Sequence, residues 1–226
     1  MQIKESDNRN NTVLEEVEVT GNTEISPGVF LLSFDRQHES EAGQVIKIAL
    51  DRNQTPRIYS ICSGQTEKAV RILFNIKEDG YLTPKLAACI PGDRLWVSMP
   101  YGSFKGTYGP AWWIATGTGI APFYSMFRSG YGQDKTLIHG VRFLNQFYFE
   151  DELGPELGES YIRCCSREKA DGVFSGRVTD YLKNIANLPR EVKYYICGKA
   201  LMVVECRDLL IASGIPYKNI FGEIYF

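Results

Sequence analysis

The sequence predicts a two-domain protein, an N-terminal antiparallel β-barrel followed by an α/β domain on a parallel sheet. Short strand-like runs separated by Gly, Pro, Asn and Asp fill the first half. In the second half, strand and helix candidates alternate, which is typical of a parallel sheet flanked by helices. A Pro/Gly-rich stretch, Pro100–Pro110, separates the two patterns. We therefore expect a polar tail over residues 1–12 and domains over residues 13–106 and 107–226.

The first half alternates apolar and polar residues around turn signals. Val13–Thr20 and Val29–Phe34 flank a Ser26-Pro27-Gly28 turn. Further strand candidates, with similar boundaries, are Gln44–Leu50, Arg57–Cys62, Val70–Lys77 and Arg94–Met99. Thr83–Cys89 is the one helix candidate, with Thr83 as the expected N-cap and Pro84 in the first helical position. Several strands with one short helix favour a barrel.

The second half predicts the α/β domain. Its strand candidates are Trp112–Thr116, Thr136–Gly140, Tyr161–Ser166, Val192–Cys197 and Ile220–Tyr225. The helix candidates between them are Ala121–Arg128, Phe147–Leu153, Val178–Ile185 and Ala200–Ser213. This alternation predicts a parallel sheet flanked by helices.

Composition narrows the functional class. Hydrophobic residues make up 44% of the 226 residues, which is ordinary for a globular protein. A net charge of −2 and a pI of 5.8 argue against a nucleic-acid partner. The charge is unevenly distributed, with a net charge of −5 over residues 1–40 and of +3 over residues 41–105. Six Cys without zinc spacing and two His argue against a metal site and favour a reducing cytosol.

Two stretches bear on localisation. Gly106–Phe127 carries no charge over 22 residues, which meets the crude length of a membrane span. Its glycines and prolines favour a loop, a buried strand and a helix start instead. The N-terminus lacks the apolar run of a signal peptide. We expect a cytoplasmic protein without membrane insertion and assign no role to residues 1–12.

The strongest local motif is Thr116-Gly117-Thr118-Gly119, followed by Pro122. It joins a buried-looking strand to an apolar helix, where glycines let a diphosphate approach the backbone and the helix start favours an anion. The pattern is G-x-G-x-x-P, and no acidic residue closes the next strand for a ribose. A purely structural glycine turn remains the alternative.

Two weaker motifs lie in the first half. In Arg57-Ile58-Tyr59-Ser60, Arg57 and Tyr59 share a strand face, where a guanidinium suits a phosphate and a phenol a planar ring. Alone, these four residues are weak evidence. Gly80-Tyr81-Leu82-Thr83 feeds a helix start, which is either a second anion site or simple capping.

Together, in this order, the motifs resemble the ferredoxin–NADP(+) reductase family over roughly residues 13–226. RIYS matches its flavin motif, DGYLTPKL its pyrophosphate turn and GTGIAPF its nicotinamide-dinucleotide loop. Cys197-Gly198 with Met202 resembles its C-G-x-x-x-M segment, and Glu223-Ile224-Tyr225 its terminal Glu-x-Tyr.

The resemblance implies FAD and NADP(H) as cofactors. Residues implied to hold FAD are Arg57, Ile58, Tyr59, Ser60, Gly80, Tyr81, Leu82, Thr83, Tyr225 and Phe226. Those implied to hold NADP are Thr116, Gly117, Thr118, Gly119, Arg142, Ser166, Arg167, Arg177, Cys197, Gly198 and Met202. Ser60, Cys197 and Glu223 would surround the point of hydride transfer. Cys197 as a small core residue and the arginines as solvated loop residues are the alternatives, and Glu168 beside Arg167 weakens the local positive field.

The implied activity is electron exchange between NADPH and a separate carrier, ferredoxin or flavodoxin. No C-x4-C-x2-C cluster is present, so the chain carries no iron–sulfur centre of this type. An oxygenase reductase component, an electron-transfer subunit of a larger complex and a flavin-free, nucleotide-responsive interaction protein are the alternatives. Phe226 extends one residue beyond the family's terminal Tyr, so the resemblance does not decide whether Tyr225 or Phe226 covers the flavin. Spacing from Glu223 favours Tyr225.

Overall fold

The computed structural model describes residues 13–225, so Phe226 and the predicted tail over residues 1–12 lie outside the described residues. The described chain forms two six-stranded sheets. The first contains β1 (Leu14–Ser26), β2 (Val29–Asp35), β3 (Val45–Ala49), β4 (Arg57–Ser60), β5 (Ala69–Asn75) and β6 (Arg94–Ser98). The domain limits near residues 105–110 stay a prediction.

The first sheet is antiparallel, which confirms the predicted fold class, and its strand order is β4-β3-β6-β1-β2-β5. A β-bridge between Ile61 and Ile72 brings the β4 end of the sheet to β5. Apolar residues at alternate positions fill the interior, among them Leu32, Ile48 and Leu95, each fully buried. The Ser26–Val29 turn lies where the sequence predicts it.

The short helix α1 (Thr83–Ala87) corrects one expectation. Leu82, not Thr83, is the N-cap, and no side chain caps the helix. The Thr83 hydroxyl instead accepts a hydrogen bond from the Lys77 amide at 2.9 Å, which closes the turn before the helix. The helix also ends two residues before the expected Cys89, so Cys89 was wrongly included.

The second sheet is parallel, as predicted, and its strand order is β10-β9-β8-β7-β11-β12. Its strands are β7 (Ala111–Thr116), β8 (Lys135–Val141), β9 (Tyr161–Cys165), β10 (Phe174–Ser175), β11 (Lys193–Lys199) and β12 (Ile220–Tyr225). The helices are α2 (Ala121–Met126), α3 (Glu150–Leu157), α4 (Val178–Lys183) and α5 (Ala200–Ala212). β12 lies at the edge of this sheet.

Besides α1, three helices depart from their predicted limits by two residues or more: α2, α3 and α4, of which α4 ends at Lys183 rather than Ile185. α3 begins at Glu150 rather than Phe147, because Phe149 adopts a positive φ of 63° and breaks the helical path. Glu150, Asp151 and Glu152 then stabilise the first turn through the helix dipole. α2 ends at Met126 in a π-turn rather than continuing to Arg128.

The uncharged segment Gly106–Phe127 folds as loop, β7, glycine turn and α2. Across residues 13–225, every helix is too short or too polar to cross a membrane.

Helix α2 is fastened to the barrel. Its Ser125 hydroxyl donates to the Ser63 carbonyl at 2.7 Å. The following turn adds a 2.9 Å hydrogen bond from the Gln65 amide to the Ser129 hydroxyl. Arg128 Nε lies 3.0 Å from a Glu67 carboxylate oxygen across the same junction. These contacts bring the carboxyl ends of β7, β11 and β12 towards the end of β4.

Candidate functional site

A hydrogen-bonded cluster joins the two sheets. Ser60, the last residue of β4, donates to Glu223 Oε1 on β12 at 2.5 Å. The Tyr225 hydroxyl donates to Ser60 Oγ at 2.6 Å. Cys197 pairs in register with Glu223, and its thiol and the Tyr225 hydroxyl are within hydrogen-bonding reach. The structure thus brings together Ser60, Cys197 and Glu223, together with Tyr225.

Burial sets the ionisation of this cluster. It raises the pKa of the Cys197 thiol well above its ordinary value, and the nearby Glu223 charge acts in the same direction. Burial also raises the pKa of Glu223, while the hydrogen bond from Ser60 opposes that rise. Cys197 is therefore a neutral thiol rather than a thiolate nucleophile. The cluster offers hydroxyl, thiol and carboxyl groups that can orient a planar ligand.

The glycine turn lies against the Cys197–Gly198 backbone. Gly117–Ile120 forms a 3₁₀ turn directly after β7, and Gly117 has a φ of +54°. A Cβ at Gly119 would lie 2.4 Å from the Cys197 carbonyl oxygen. A Cβ at Gly198 would lie 2.3 Å from Thr116 Oγ1. At Gly119 the clash is with backbone atoms and leaves no room for a side chain. At Gly198 the clash is with side-chain atoms, and the positive φ adds strain to any substitution.

The turn also has an unsatisfied polar group. Thr116 Oγ1 is buried without a hydrogen-bond partner among residues 13–225. Buried hydroxyls are normally hydrogen-bonded, so this atom suits a ligand at the turn. Thr118 is partly buried within the same turn. Together with the open glycine backbone, these groups fit a dinucleotide.

The predicted 2′-phosphate residues meet at one end of the sheet. The Arg167 amide donates to the Arg142 carbonyl at 3.1 Å, and the Gly176 amide, next to Arg177, donates to the Cys165 carbonyl at 2.9 Å. Arg142, Arg167 and Arg177 are exposed, and none of them forms an ion pair within the described chain. Ser166 donates to the Val141 carbonyl at 3.3 Å.

Two carboxylates, Glu168 and Asp180, lie beside this cluster of arginines and lower its positive charge. Glu168 accepts a 2.6 Å hydrogen bond from the Leu144 amide, which anchors its charge to that loop. Asp180 accepts a 3.0 Å hydrogen bond from the Arg177 amide, so this carboxylate lies close to Arg177, the third arginine of the cluster. These two carboxylates reduce, without cancelling, the positive charge of the three arginines Arg142, Arg167 and Arg177.

The RIYS strand presents two faces. Burial raises the pKa of Tyr59, and the charge of Arg57 opposes that rise, so these side chains are neighbours, as the alternation predicts. The Tyr59 ring meets Phe74 edge-on at 6.2 Å between centroids. Ile58 is 61% exposed. Arg57 is also exposed and can reach a phosphate.

The turn at Gly80 contains a contact that sequence reasoning missed. The Tyr81 hydroxyl accepts a 2.8 Å hydrogen bond from Gln54 Nε2, and the Lys85 ammonium lies 3.9 Å from the ring centroid. Gln54 belongs to the loop before β4, so this contact joins the Gly80 turn to the segment that leads into RIYS. Leu82 is buried in the barrel core and holds the turn in place. Gln54 lies in no recognisable motif.

Met202 and Tyr101 border the site, one at Gly198 and the other near Glu223. A Cβ at Gly198 would lie 2.7 Å from Met202 Cε, so the methionine lies against that glycine. Tyr101, also missed, lies close enough to Glu223 for the carboxylate to raise its pKa, although burial is the larger cause. Among residues 13–225, no group of three His, Cys, Asp or Glu side chains has the arrangement of a metal site.

Comparison with protein families identifies two adjacent domains. Residues 16–106 match the oxidoreductase FAD-binding domain, and residues 113–208 match the oxidoreductase NAD-binding domain. The ferredoxin–NADP reductase of Azotobacter vinelandii is 28% identical over 218 residues, covering 81% of this chain and 83% of the relative. A probable dihydroorotate dehydrogenase B (NAD(+)), electron transfer subunit, of Pyrococcus horikoshii is 28% identical over 202 residues, covering 88% and 75%.

A solved structure supports the same fold. The ferredoxin NADP+ reductase of Neisseria gonorrhoeae, with bound FAD and NADP, superposes with a TM-score of 0.84 at 23% identity. The match covers 95% of this chain and 99% of that one.

Proposed function

The chain belongs to the ferredoxin–NADP(+) reductase family, and from this we propose that it exchanges electrons between NADPH and ferredoxin or flavodoxin through FAD. The observation that carries the proposal is the Ser60–Glu223–Tyr225 cluster, which joins the flavin motif to the nucleotide-binding sheet. The domain limits for this function are 13–106 for FAD and 107–226 for NADP(H).

FAD, when bound, supplies the chemistry of accepting a hydride and releasing electrons singly. Arg57, Tyr59 and Ser60 hold the flavin, with the exposed Arg57 guanidinium available to its phosphates. The backbone from Gly80 to Thr83 receives the pyrophosphate. The Gln54–Tyr81 hydrogen bond supports this site because it fastens the loop before β4 to that turn.

Ser60, Cys197 and Glu223 position the nicotinamide against the flavin. The Ser60 hydroxyl proton is directed at Glu223 Oε1, and the Tyr225 proton at Ser60 Oγ. The neutral Cys197 thiol would add no negative charge of its own to this cluster when the cofactors are bound. These groups orient the two rings and exclude water, and they leave the redox step to the cofactor.

Thr116, Gly117, Thr118 and Gly119 receive the NADP diphosphate, and Gly198 and Met202 border it. Arg142, Ser166, Arg167 and Arg177 surround the 2′-phosphate, so NADPH is preferred to NADH. The exposed arginines without ion pairs in the described chain support this preference, because a phosphate dianion gains charge-assisted hydrogen bonds there.

The carrier docks at the flavin domain, whose residues 41–105 carry a net charge of +3. An acidic protein such as ferredoxin or flavodoxin fits this charge. The protein acts in the cytoplasm, where a reducing environment suits its six free cysteines. The Pyrococcus relative, named as an electron transfer subunit, favours a second candidate function, reduction of a partner subunit in a larger complex.

Reconstitution with FAD tests the proposal. After removal of unbound flavin, the purified chain should remain yellow with about one FAD per protein, and NADPH should bleach it anaerobically faster than NADH does. A colourless protein after reconstitution would overturn the proposal. Bleaching at equal rates by both nucleotides would overturn only the assignment of the 2′-phosphate site.

A further inference from the structure

A network of ion pairs and hydrogen bonds crosses the junction between the two halves of the chain. Arg128 lies in the π-turn Phe127–Tyr131, directly after α2. Its Nε is 3.0 Å from Glu67 Oε1 in the barrel, and its Nη1 donates a 2.7 Å hydrogen bond to Glu152 Oε2 on α3. One guanidinium therefore contacts a carboxylate from each half, and the proposed function gives it no role.

The barrel side of this network is fixed by two further arginines. Arg36, next to the end of β2, donates to the Glu67 carbonyl at 2.7 Å and to the Gly64 carbonyl at 2.8 Å. The Arg71 guanidinium forms an ion pair with Glu67 Oε2. The other carboxylate oxygen, Oε1, is buried and accepts no hydrogen bond of ordinary geometry in the described part of the chain. This oxygen therefore depends on the positive charge of Arg128.

The other side of the network joins two helices of the nucleotide-binding half. Tyr124 on α2 donates a 2.5 Å hydrogen bond to Glu152 Oε1, while Arg128 donates to Oε2. Burial acts to raise the pKa of Glu152, but these two hydrogen bonds outweigh burial and lower it, so the carboxylate is charged at neutral pH. The buried Tyr124 ring stacks on Phe149, the residue before α3, with ring centroids 3.8 Å apart. These contacts connect α2 to α3.

Both helices follow segments that the proposed function assigns to NADP(H). α2 starts directly after the Gly117–Ile120 turn, and α3 starts after the loop that begins at Arg142. A displacement of the two connected helices against the barrel would move the diphosphate turn and the 2′-phosphate loop together. Their distance from the flavin motif on β4 therefore depends on how these helices are held.

Apolar side chains also cross the junction, and they do not need Arg128. Phe104 meets Phe123 of α2 edge-on, with ring centroids 5.8 Å apart, and both rings are buried. Cys62 and Leu73 of the barrel belong to the same buried cluster. Apolar contact is non-directional, whereas a guanidinium between two carboxylates restricts orientation as well as distance. The apolar cluster therefore keeps the halves in contact, and the bridge through Arg128 specifies their orientation.

We propose that Arg128 is a positioning residue that bridges Glu67 and Glu152, orients the nucleotide-binding half on the barrel and so sets the approach of the nicotinamide to the flavin. This inference rests on the proposed function, which supplies both rings. Hydride transfer needs reacting atoms about 3–3.5 Å apart, so a small change in orientation slows it strongly. Contacts to the adenosine lie within one half and persist. The alternative is a surface salt bridge that contributes only to stability.

Flavin reduction in the FAD-loaded full-length protein, followed by rapid mixing at saturating NADPH, tests the proposal. Arg128→Leu removes the partly exposed guanidinium, leaves the apolar cluster intact and should slow reduction about tenfold. The primary kinetic isotope effect, with NADPH deuterated at the transferred position, should be at least as large as in wild type, because hydride transfer is the slowed step. The dissociation constant of 2′-phospho-AMP should change less than about twofold.

Glu67→Gln keeps the shape of the barrel side chain and removes its charge, so it remains informative if Arg128→Leu does not fold. It should slow flavin reduction about fivefold. The double variant should be no slower than Arg128→Leu alone, because both changes break the same bridge. The matched control is Arg94→Leu, since Arg94 pairs with Glu16 at 2.9 Å within the barrel. The control should keep the wild-type rate.

The outcomes separate this inference from the proposed function. If NADPH does not reduce the wild-type flavin, the proposed function fails and the inference falls with it. If wild type is reduced but Glu67→Gln and folded Arg128→Leu are reduced as fast as Arg94→Leu, the inference alone is overturned. Lower thermal stability at an unchanged rate of flavin reduction would likewise assign the bridge to stability. A loss of 2′-phospho-AMP affinity as large as the loss of rate would place the effect in the nucleotide site and overturn the inference.

Discussion

Ser60 and Glu223 are 163 positions apart in the sequence, yet the serine hydroxyl donates a 2.5 Å hydrogen bond to the glutamate carboxylate. The bond runs from the last residue of a barrel strand to the edge strand of the parallel sheet. It places the flavin motif and the end of the nucleotide-binding sheet at one point. Each half alone lacks one partner, so the site depends on packing between the halves.

Replacing Ser60 with Ala should slow hydride transfer more than it weakens binding. The variant removes the hydroxyl that joins Glu223 to Tyr225, and we expect flavin reduction by NADPH to slow about tenfold or more. NADP+ affinity should change less than about twofold. Rapid mixing at saturating NADPH measures the rate.

Ser98→Ala is the control for this variant, because the Ser98 hydroxyl accepts a hydrogen bond from the Lys47 amide and donates one to the Met99 carbonyl, both within the barrel. It should keep the wild-type rate. Equal rates for Ser60→Ala and wild type would remove Ser60 from the reaction centre.

The nucleotide preference should depend on the basic cluster. A charge-assisted hydrogen bond contributes about 1.5–3 kcal/mol, so Arg167→Ala and Arg177→Ala should each lower the NADPH/NADH ratio of kcat/KM by about tenfold or more. Arg207→Ala is the control, since Arg207 pairs with Asp208 on α5. If the double variant Arg167→Ala/Arg177→Ala keeps the wild-type NADPH/NADH ratio of kcat/KM, the two arginines are solvated loop residues.

The C-terminal aromatic residues should limit access of the nicotinamide. A ring stacked on the flavin is worth about 0.5–1.5 kcal/mol beyond its burial, weak enough for displacement. Deletion of Tyr225 and Phe226 should tighten NADP+, slow its release and relax the preference for NADPH. Tyr225→Phe keeps the ring but loses the bond to Ser60, and should retain wild-type affinity. Lower stability at unaltered affinity in the deletion variant would indicate a core role.

Carrier reduction should depend on salt. If the net positive charge of the flavin domain attracts an acidic carrier, the second-order rate constant of carrier reduction should fall as ionic strength rises. The Debye length then drops below about 10 Å and screens the attraction. Reduction of the flavin by NADPH at saturation is the internal control and should vary much less. A rate of carrier reduction that is flat across the salt series contradicts electrostatic docking.

Stability should fall in acid partly because of His139. Burial of the ring lowers its folded pKa to about 3, below the ordinary 6.5, so between these values the unfolded chain binds a proton that the folded chain does not. The free energy of unfolding should therefore rise with pH in this window, by up to ~1.4 kcal/mol per unit from this group, and become independent of it above about 6.5. Urea unfolding of His139→Gln should give a shallower slope. Parallel pH curves for variant and wild type would contradict a buried neutral imidazole.

The sequence predicts local features well because their causes are local. Alternation along Val29–Phe34 and the glycines after β7 specify strand and turn through neighbouring residues. The start of α3 was missed because Phe149 adopts a positive φ that its side chain does not favour. The Gln54–Tyr81 and His139–Tyr161 contacts join residues 27 and 22 positions apart, and such pairings leave no periodic signal. The grouping of Ser60, Cys197 and Glu223 was foreseen only through a family resemblance.

The most direct measurement is the electron count in a single anaerobic titration. NADPH should bleach the FAD-loaded protein, and addition of oxidised ferredoxin or flavodoxin should restore the yellow colour, with about two one-electron carriers reduced per NADPH consumed. That stoichiometry requires the flavin to accept a hydride and pass its electrons on singly. Failure of NADPH to bleach the bound flavin, or bleaching that no one-electron carrier reverses, would contradict electron transfer from NADPH through FAD to a carrier.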